Sequence, residues 1–100
     1  MRHRYEQDMA TDTELRCKIV RKLVRNRVTG AHKKTVDTAK NWVATSDQGR
    51  AEELIREMIR DPDSPIEPYG GSRDNIRLTS IPDGVEWLQS NDCDIPFGFG

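Results

Sequence analysis

The side chains with the clearest chemical potential in this sequence are the cations of its first half. Residues 1–50 carry twelve Lys and Arg against six Asp and Glu, whereas residues 51–100 carry four against eleven. Cations are densest between residues 16 and 40, where Asp37 is the single acid among nine Lys and Arg. Because cations at this density neutralise phosphate groups, they predict binding of a polyanion. An ordinary solvated surface is the alternative.

Residue types that catalyse reactions or ligate metals are sparse. His3 and His32 are the only histidines. Cys17 and Cys93 lie too far apart for a zinc-ligand spacing. No nucleophile has a base at a recognisable spacing, and Gly70-Gly71 lacks the pattern of a phosphate-binding loop. We therefore expect no enzymatic activity, no cofactor, no metal and no small-molecule substrate.

The two cysteines have two interpretations. The favoured one makes Cys17 a small buried apolar side chain and Cys93 an incidental thiol. The other is a disulfide, which requires the C-terminal tail to fold back on the first helix. The first residues lack the apolar stretch of a secretory signal, and no uncharged run is long enough to cross a bilayer. We expect a reducing, cytoplasmic location and no membrane partner.

Hydrophobic periodicity predicts four helices that position these residues. The first begins at an N-cap within Thr11–Thr13 and ends before Gly30, a residue typical of helix C-termini. The second spans residues 33–44 and the third residues 48–60, which a Pro-containing segment follows. The last begins after Ser80, whose spacing to a later acid resembles a capping box.

Two short strands are predicted between the third and the last helix. Residues 66–69 and 76–79 alternate apolar and polar side chains. Residues 70–75 between them have the composition of a hairpin loop. Because Pro68 lacks a backbone N–H, the first strand must lie on a sheet edge.

The apolar arc of the first helix is too wide for one contact surface. It covers roughly 200° of the helical wheel, about twice what a single core requires. We expect its second side to receive either the apolar C-terminal tail or a second subunit. The residues predicted for this docking are Val20, Val24, Val28, Phe97 and Phe99.

The outer face of the third helix contains acids as well as arginines. Glu52 and Arg56 are spaced i,i+4. Glu57 and Arg60 are spaced i,i+3. Such spacings bring opposite charges together on a helix, so the pairs are predicted to neutralise one another.

The order of these segments carries a family resemblance. A helix ending at Arg60 is followed by the strand 65–69, the Gly-rich tip 70–75, the strand 76–79 and a helix containing Gly84 and Leu88. This order resembles the winged helix-turn-helix family of archaeal and bacterial regulators, over residues 12–90. The resemblance implies a mainly α fold with a small two-stranded β wing, in the order helix-helix-helix-strand-strand-helix.

In function, the resemblance implies a regulator of transcription that reads double-stranded DNA. The third helix would enter the major groove, and the wing would touch phosphate or the minor groove. The implied DNA contacts are Lys33, Lys34, Thr38, Asn41, Gln48, Arg50, Arg56 and Arg73. Since such regulators are often two-fold dimers, we expect a homodimer. A winged-helix module that binds protein without binding DNA is the alternative, favoured by the neutralised third helix and the apolar tail.

One hundred residues fit a single domain. We predict that this winged-helix domain spans residues 12–91. A flexible N-terminal arm over residues 1–11 precedes it, because these residues are polar and without period. An irregular apolar tail over residues 92–100 follows it.

Overall fold

The computed structural model of the protein describes residues 10–99. In chain order its elements are α1 (Asp12–Arg25), β1 (Lys34–Thr35), α2 (Val36–Lys40), a 3-10 turn (Thr45–Asp47), α3 (Gln48–Arg60), β2 (Ile66–Tyr69), β3 (Ser72–Leu78) and α4 (Ile81–Ser90). The described chain thus combines helices with a small three-stranded antiparallel sheet of order β1-β3-β2. Most of the predicted N-terminal arm, residues 1–9, lies outside the described residues.

Helix α1 begins as predicted and ends earlier. Thr11 and Glu14 form a complete capping box, in which each side chain accepts a hydrogen bond from the other residue's backbone N–H. The helix ends at Arg25 and not just before Gly30. The reason is tertiary, because Val28 is already bonded to the sheet: its carbonyl accepts from the N–H of Leu78 at 2.7 Å.

The predicted second helix is shorter than expected, and its first residues form a strand. Lys34 and Thr35 pair with Ile76 and Asn75 of β3, which gives the sheet a third strand instead of the predicted two. Thr35 then caps α2, since its hydroxyl accepts from the N–H of Thr38 at 3.0 Å. Pairing with a distant strand therefore overrides the helical period at residues 33–35.

The wing is a tight hairpin and not two strands joined by a long loop. Strand β3 begins at Ser72, so the predicted loop 70–75 contracts to Gly70 and Gly71. Both glycines have positive φ, 67° and 80°, as a two-residue type I′ turn requires. Pro68 lies on β2, an edge strand in the order β1-β3-β2, as its missing N–H predicts.

Both sides of α1 are buried, but within its own chain. Val20, Val24 and Val28 are at most 1% exposed. Helix α4 covers part of this side closely: a Cβ added at Gly84 would lie 2.7 Å from Cγ2 of Val24. In the described chain, the wide apolar arc of α1 therefore reflects packing against α4, and these valines are not available to a second subunit.

The C-terminal tail folds back on α1, and the disulfide that this return allows is formed. Cys17 and Cys93 are bonded, with their Cα atoms 5.7 Å apart, so the expectation of two unpaired thiols is wrong. The return begins directly after α4, where the N–H of Cys93 donates to the carbonyl of Leu88 at 2.8 Å. The spacing of the two cysteines carries no sign of this bond, because the elements between them decide their distance.

The two phenylalanines of the tail differ in burial. Phe99 packs against the edge of the core, beneath the guanidinium of Arg27 at 4.7 Å from the ring centroid. Phe97 is fully exposed, so it does not dock on α1 of its own chain. It lies at the tip of a turn closed by a hydrogen bond from the N–H of Phe99 to the carbonyl of Pro96 at 3.1 Å. The positive φ of Gly98 (92°) completes that turn and directs Phe97 outward.

Candidate nucleic-acid interface

Arg56 joins helix α3 to the hairpin. Its guanidinium lies 3.3 Å from the carboxylate of Glu52 and 3.2 Å from that of Asp74. It also donates to the backbone carbonyl of Arg73 at 3.3 Å. Arg56 and Asp74 line a cleft of about 350 Å³ together with residues 35–37. The start of α2, the wing and α3 therefore meet at one place, which we call the wing cleft.

The wing cleft holds Arg56 firmly in its charged form. The hydrogen bond that Arg56 donates to the Asp74 carboxylate raises the pKa of Arg56, partial burial opposes this rise, and the hydrogen bond donated to Glu52 adds to it. The predicted Glu52–Arg56 pair is thus present, and the hairpin supplies a second acid. An arginine with two carboxylate partners attracts DNA less than a free one, because its charge is already compensated.

Three of the predicted contacts have no ion pair among residues 10–99: Lys33, Lys34 and Arg73. Lys34 lies opposite Ile76 on β3, and Arg73 precedes Ile76 by three residues, about 10 Å along the strand. The ammonium of Lys33 lies 5.3 Å from the ring centroid of Tyr69 at the end of β2. The sheet thus gathers cations that the sequence separates by about forty positions.

The end of α2 is less basic than its composition suggests. The ammonium of Lys40 lies 3.2 Å from Asp37 and 3.4 Å from Glu52, and the Asp37 hydrogen bond leads in raising its pKa. Thr38 is exposed, and its hydroxyl accepts from that of Thr35 at 2.9 Å. Asn41 is exposed at the C-cap of α2. Thr38 and Asn41 therefore offer accessible uncharged polar groups at this helix.

Arg50, near the start of α3, is held by α1. Its Nε and Nη2 lie 3.0 and 2.6 Å from the two carboxylate oxygens of Asp12, a bidentate pairing. Its Nη1 lies 2.8 Å from Glu53. The hydrogen bond from Arg50 lowers the pKa of Asp12, and the two carboxylates raise the pKa of Arg50. Gln48, two residues earlier, is half-buried and has no ion or hydrogen-bond partner of its side chain among the described residues.

Arg50 and Arg56 do not act on one surface. Six residues of α-helix separate them by about 9 Å along the axis and by roughly 240° around it. The structure therefore divides the predicted contacts between two places. Arg56 lines the wing cleft, and Lys34 and Arg73 adjoin its lining residues Thr35 and Asp74 in the chain. Lys33 lies beside Tyr69. Arg50 is held against the start of α1.

The outer surface of the sheet holds two residues that sequence reasoning did not select. The guanidinium of Arg77 lies 5.0 Å from the ring centroid of Tyr69. Arg77 also pairs with Glu67 at 2.7 Å and donates to the carbonyl of Gly30 at 2.6 Å. Tyr69 is thus contacted by Arg77 and by Lys33. The aromatic residue beside the Gly-Gly turn was the available signal for this cluster.

One predicted pair on α3 is replaced by a longer-range one. Glu57 lies 3.6 Å from Arg16 of α1 and is not paired with Arg60. Like Asp12 with Arg50, this pair joins α1 to α3. Neither partner could be identified from spacing, since both depend on how two distant helices cross.

Comparison with protein-family models, with curated proteins and with solved structures finds no match to this chain. Within residues 10–99, no group of three or more His, Cys, Asp or Glu is arranged to hold a metal ion. The helices of this same range are all too short or too polar to cross a membrane. The function of the chain must therefore be inferred from its own contacts and charges.

Proposed function

We propose that the protein is a winged-helix regulator of transcription that binds double-stranded DNA, with α3 as recognition helix and the β2–β3 hairpin as wing. The element order supports this proposal: α2, a short turn and α3 are followed directly by the hairpin. Its activity would be binding and not catalysis. The strand β1 extends the two-stranded wing expected from the sequence into a three-stranded sheet.

The observation that carries the proposal is the set of unpaired cations on and next to the paired strands β1 and β3, beside the wing cleft. Lys33 and Arg73 are exposed and Lys34 is half-buried, and none of them has a carboxylate partner in residues 10–99. Phosphate contacts of this kind fix the orientation of a protein on DNA without reading its sequence. Base reading would then fall to the start of α3, where a recognition helix usually contacts base edges.

In this proposal the start of α3 changes partners when DNA binds. Arg50 has the fork geometry that fits the O6 and N7 atoms of guanine, but Asp12 occupies that fork. Reading a base with Arg50 therefore requires release of Asp12. Gln48 has no such competitor among the described residues and suits adenine. Cations beside the wing cleft would thus bind phosphate, and Gln48 would provide the sequence preference.

The test compares two variants that each remove two positive charges. Lys33→Ala with Arg73→Ala removes cations at the wing cleft, and Lys18→Ala with Lys22→Ala removes two from α1. Binding of a mixed-sequence duplex is measured by fluorescence anisotropy across a salt series. Loss of two phosphate contacts should reduce the slope of log K against log salt by about 1.8 for the first variant only.

Amide NMR of the wild-type protein with the same duplex maps the surface. Shifts at residues 33–41, at Gln48 and around Arg73 that weaken with salt are expected. Equal losses in both double variants would place the contacts elsewhere, and an absence of salt-dependent binding would overturn the DNA-binding proposal.

A protein-binding winged-helix module is the second candidate, and the state of α3 favours it. Arg50 and Arg56 each hold two carboxylates, so the recognition helix presents little free positive charge. On this second proposal the duplex titration would leave the NMR spectrum unchanged. Partner capture would instead depend on the tail, and deletion of residues 93–100 would abolish it.

The homodimer and the cytoplasmic location belong to the first proposal as well. The burial of Val20, Val24 and Val28 by the chain itself means that a dimer would need another surface. Disulfides are rare in reducing compartments, so the Cys17–Cys93 bond weighs against a cytoplasmic location. Trapping of thiols in intact cells would measure the fraction of bonded protein and decide between the compartments.

A further inference from the structure

Phe97 forms the centre of a surface that the proposed function does not use. The ring is fully exposed, with 103% relative accessibility. It lines a groove of about 520 Å³ with Ile95, Pro96, Arg21 and Arg25. We call these five residues the Phe97 patch. Single exposed apolar residues are common on protein surfaces, so the exposure of this ring has meaning only with the contacts that hold it.

Those contacts fix the tail in one position. The Cys17–Cys93 disulfide joins the tail to α1 covalently. The next residue, Asp94, lies 3.6 Å from Arg21. On the other side of Phe97, the ring of Phe99 packs beneath Arg27. Phe97 is thus presented from a tail that is anchored on both sides, and a preorganised contact loses less conformational entropy when it binds.

The cations around the Phe97 patch are only partly compensated, because Asp94 pairs with Arg21. Lys18, Lys22 and Arg25 follow one face of α1, and no carboxylate pairs with them among the described residues. A partner that fits this surface therefore needs an apolar hollow for one aromatic ring and carboxylates around it.

A second cleft of the same molecule, mostly polar in its lining, offers apolar groups beside carboxylates. A cleft of about 440 Å³ is lined by Pro62, Pro65 and Trp87 together with Asp63, Asp83, Glu86 and neighbouring hydroxyl residues. Asp63 and Glu86 are exposed and have no cation partner within residues 10–99. The carboxylate of Asp83 accepts from the hydroxyl of Thr79 at 2.7 Å and has no cation partner in the described part of the chain. We call this surface the acidic cleft.

We propose that the Phe97 patch of one copy of this chain binds the acidic cleft of a second copy. An aromatic ring flanked by arginines would meet prolines and a tryptophan flanked by carboxylates. The two surfaces share no residue, and in the proposed contact each copy gives its patch to one neighbour and its cleft to another, head-to-tail. The charge division of the sequence, basic in residues 1–50 and acidic in residues 51–100, agrees with this contact. Repetition of the contact gives a ring or a linear chain of molecules.

Two variants that each lose one of the two surfaces test the proposal. Phe97→Ser removes the ring, and its full exposure means that the fold should be unaffected. Asp63→Lys with Glu86→Lys reverses the charge of the cleft. Sedimentation velocity of the wild-type protein should show concentration-dependent association that weakens with salt. Each variant alone should associate at least about tenfold more weakly, because a buried aromatic ring or its charge complement is lost.

A mixture of the two variants separates this proposal from a symmetric dimer that uses any other surface. The Phe97→Ser chain keeps its cleft and the charge-reversed chain keeps its patch, so together they should form a complex of one copy each and nothing larger. Circular dichroism confirms the fold of both, and Lys33→Ala is the control that should associate as the wild type does.

Three results would overturn the proposal. They are a wild-type protein that stays monomeric at every concentration, a Phe97→Ser protein that associates normally, and a mixture that remains monomeric. Binding of anionic lipid vesicles by a monomeric wild-type protein, lost with Phe97→Ser, would assign the patch to a lipid surface and likewise overturn the second copy as its partner.

Discussion

Helices α1 and α3 both present cations to solvent, but they use those charges differently. On α3, Arg50 and Arg56 are each bonded to two carboxylates. On α1, Lys18 and Lys22 have no carboxylate partner among the described residues. The number of charges in a segment therefore does not measure its capacity to attract a polyanion. What decides that capacity is which charges other parts of the fold have already compensated.

The two helices also differ in what attaches them to the rest of the molecule. Helix α1 is joined to the C-terminal segment by the disulfide and by close packing against Gly84. The outer surface of α3 is joined to its surroundings by ion pairs that remain partly exposed. Exposed ion pairs contribute little because water and salt screen them. Changes on the α1 side should therefore have the larger effects on stability.

The largest effect is expected from loss of the disulfide. Cys17→Ser with Cys93→Ser should lower the free energy of unfolding by roughly 2–5 kcal/mol, because the bond closes a long loop in the unfolded chain. The sequence separation of 76 residues makes that loop nearly the whole protein. Urea unfolding measures the loss. Wild-type protein with a dithiol reductant should match the variant, and an unchanged midpoint under reduction would contradict the bond.

The next effect compares two glycines, one facing α1 and one at the start of α3. Gly84→Ala should destabilise by about 1–3 kcal/mol despite the better helix propensity of alanine, because the new Cβ would lie 2.7 Å from Val24. Gly49→Ala meets nothing within 4 Å and should stabilise by up to about 1 kcal/mol. Thermal unfolding of both variants checks the opposite signs.

If both alanines stabilised the protein, α4 would have to pack more loosely on α1 than the close approach of Gly84 to Val24 requires. Tight packing would then no longer distinguish α1 from α3. Gly84→Ala with Val24→Ala provides the matched control, since removal of the valine methyl groups also removes the clash.

The smallest effect concerns the ion pair between the two helices. Arg50 lowers the pKa of Asp12 below its ordinary value of 3.8 in the folded protein. The pair therefore stabilises the fold above that value, and its contribution is lost as the pH falls towards the lowered pKa. A carboxyl NMR titration should show the depressed pKa, and Arg50→Gln should return it towards 3.8. Arg60→Gln, at the opposite end of α3, should leave the pKa of Asp12 unchanged.

Several features were predictable because they depend on neighbours in the chain. The third helix occupies residues 48–60 as predicted, since its apolar stripe, its polar start and the following Pro62 are all local. Ser80 caps the last helix, as its hydroxyl accepts from the N–H of Asp83 at 3.0 Å. The carboxylate of Asp83, however, accepts from Thr79 and does not complete a capping box. The Glu52–Arg56 pair also followed from helical spacing alone.

The candidate site was predictable in its residue types but not in its arrangement. Basic density pointed to Lys33 and Lys34, and the Gly-rich tip pointed to Arg73. That their segments lie side by side follows from pairing of β1 with β3, which changed residues 33–35 from helix to loop and strand. The hydrogen bonds between Arg50 and Asp12 could not be predicted from the sequence either, because 38 residues separate the two.

By itself, the sequence determined where most helices begin, where the hairpin turns and which faces are apolar, because caps, turns and periodicity act over a few neighbouring residues. Only the tertiary structure decided the third strand, the Cys17–Cys93 bond, the partners of Arg50 and the outward direction of Phe97. Each of these depends on the distance between remote segments, and that distance is set by how the helices and the sheet close around one core.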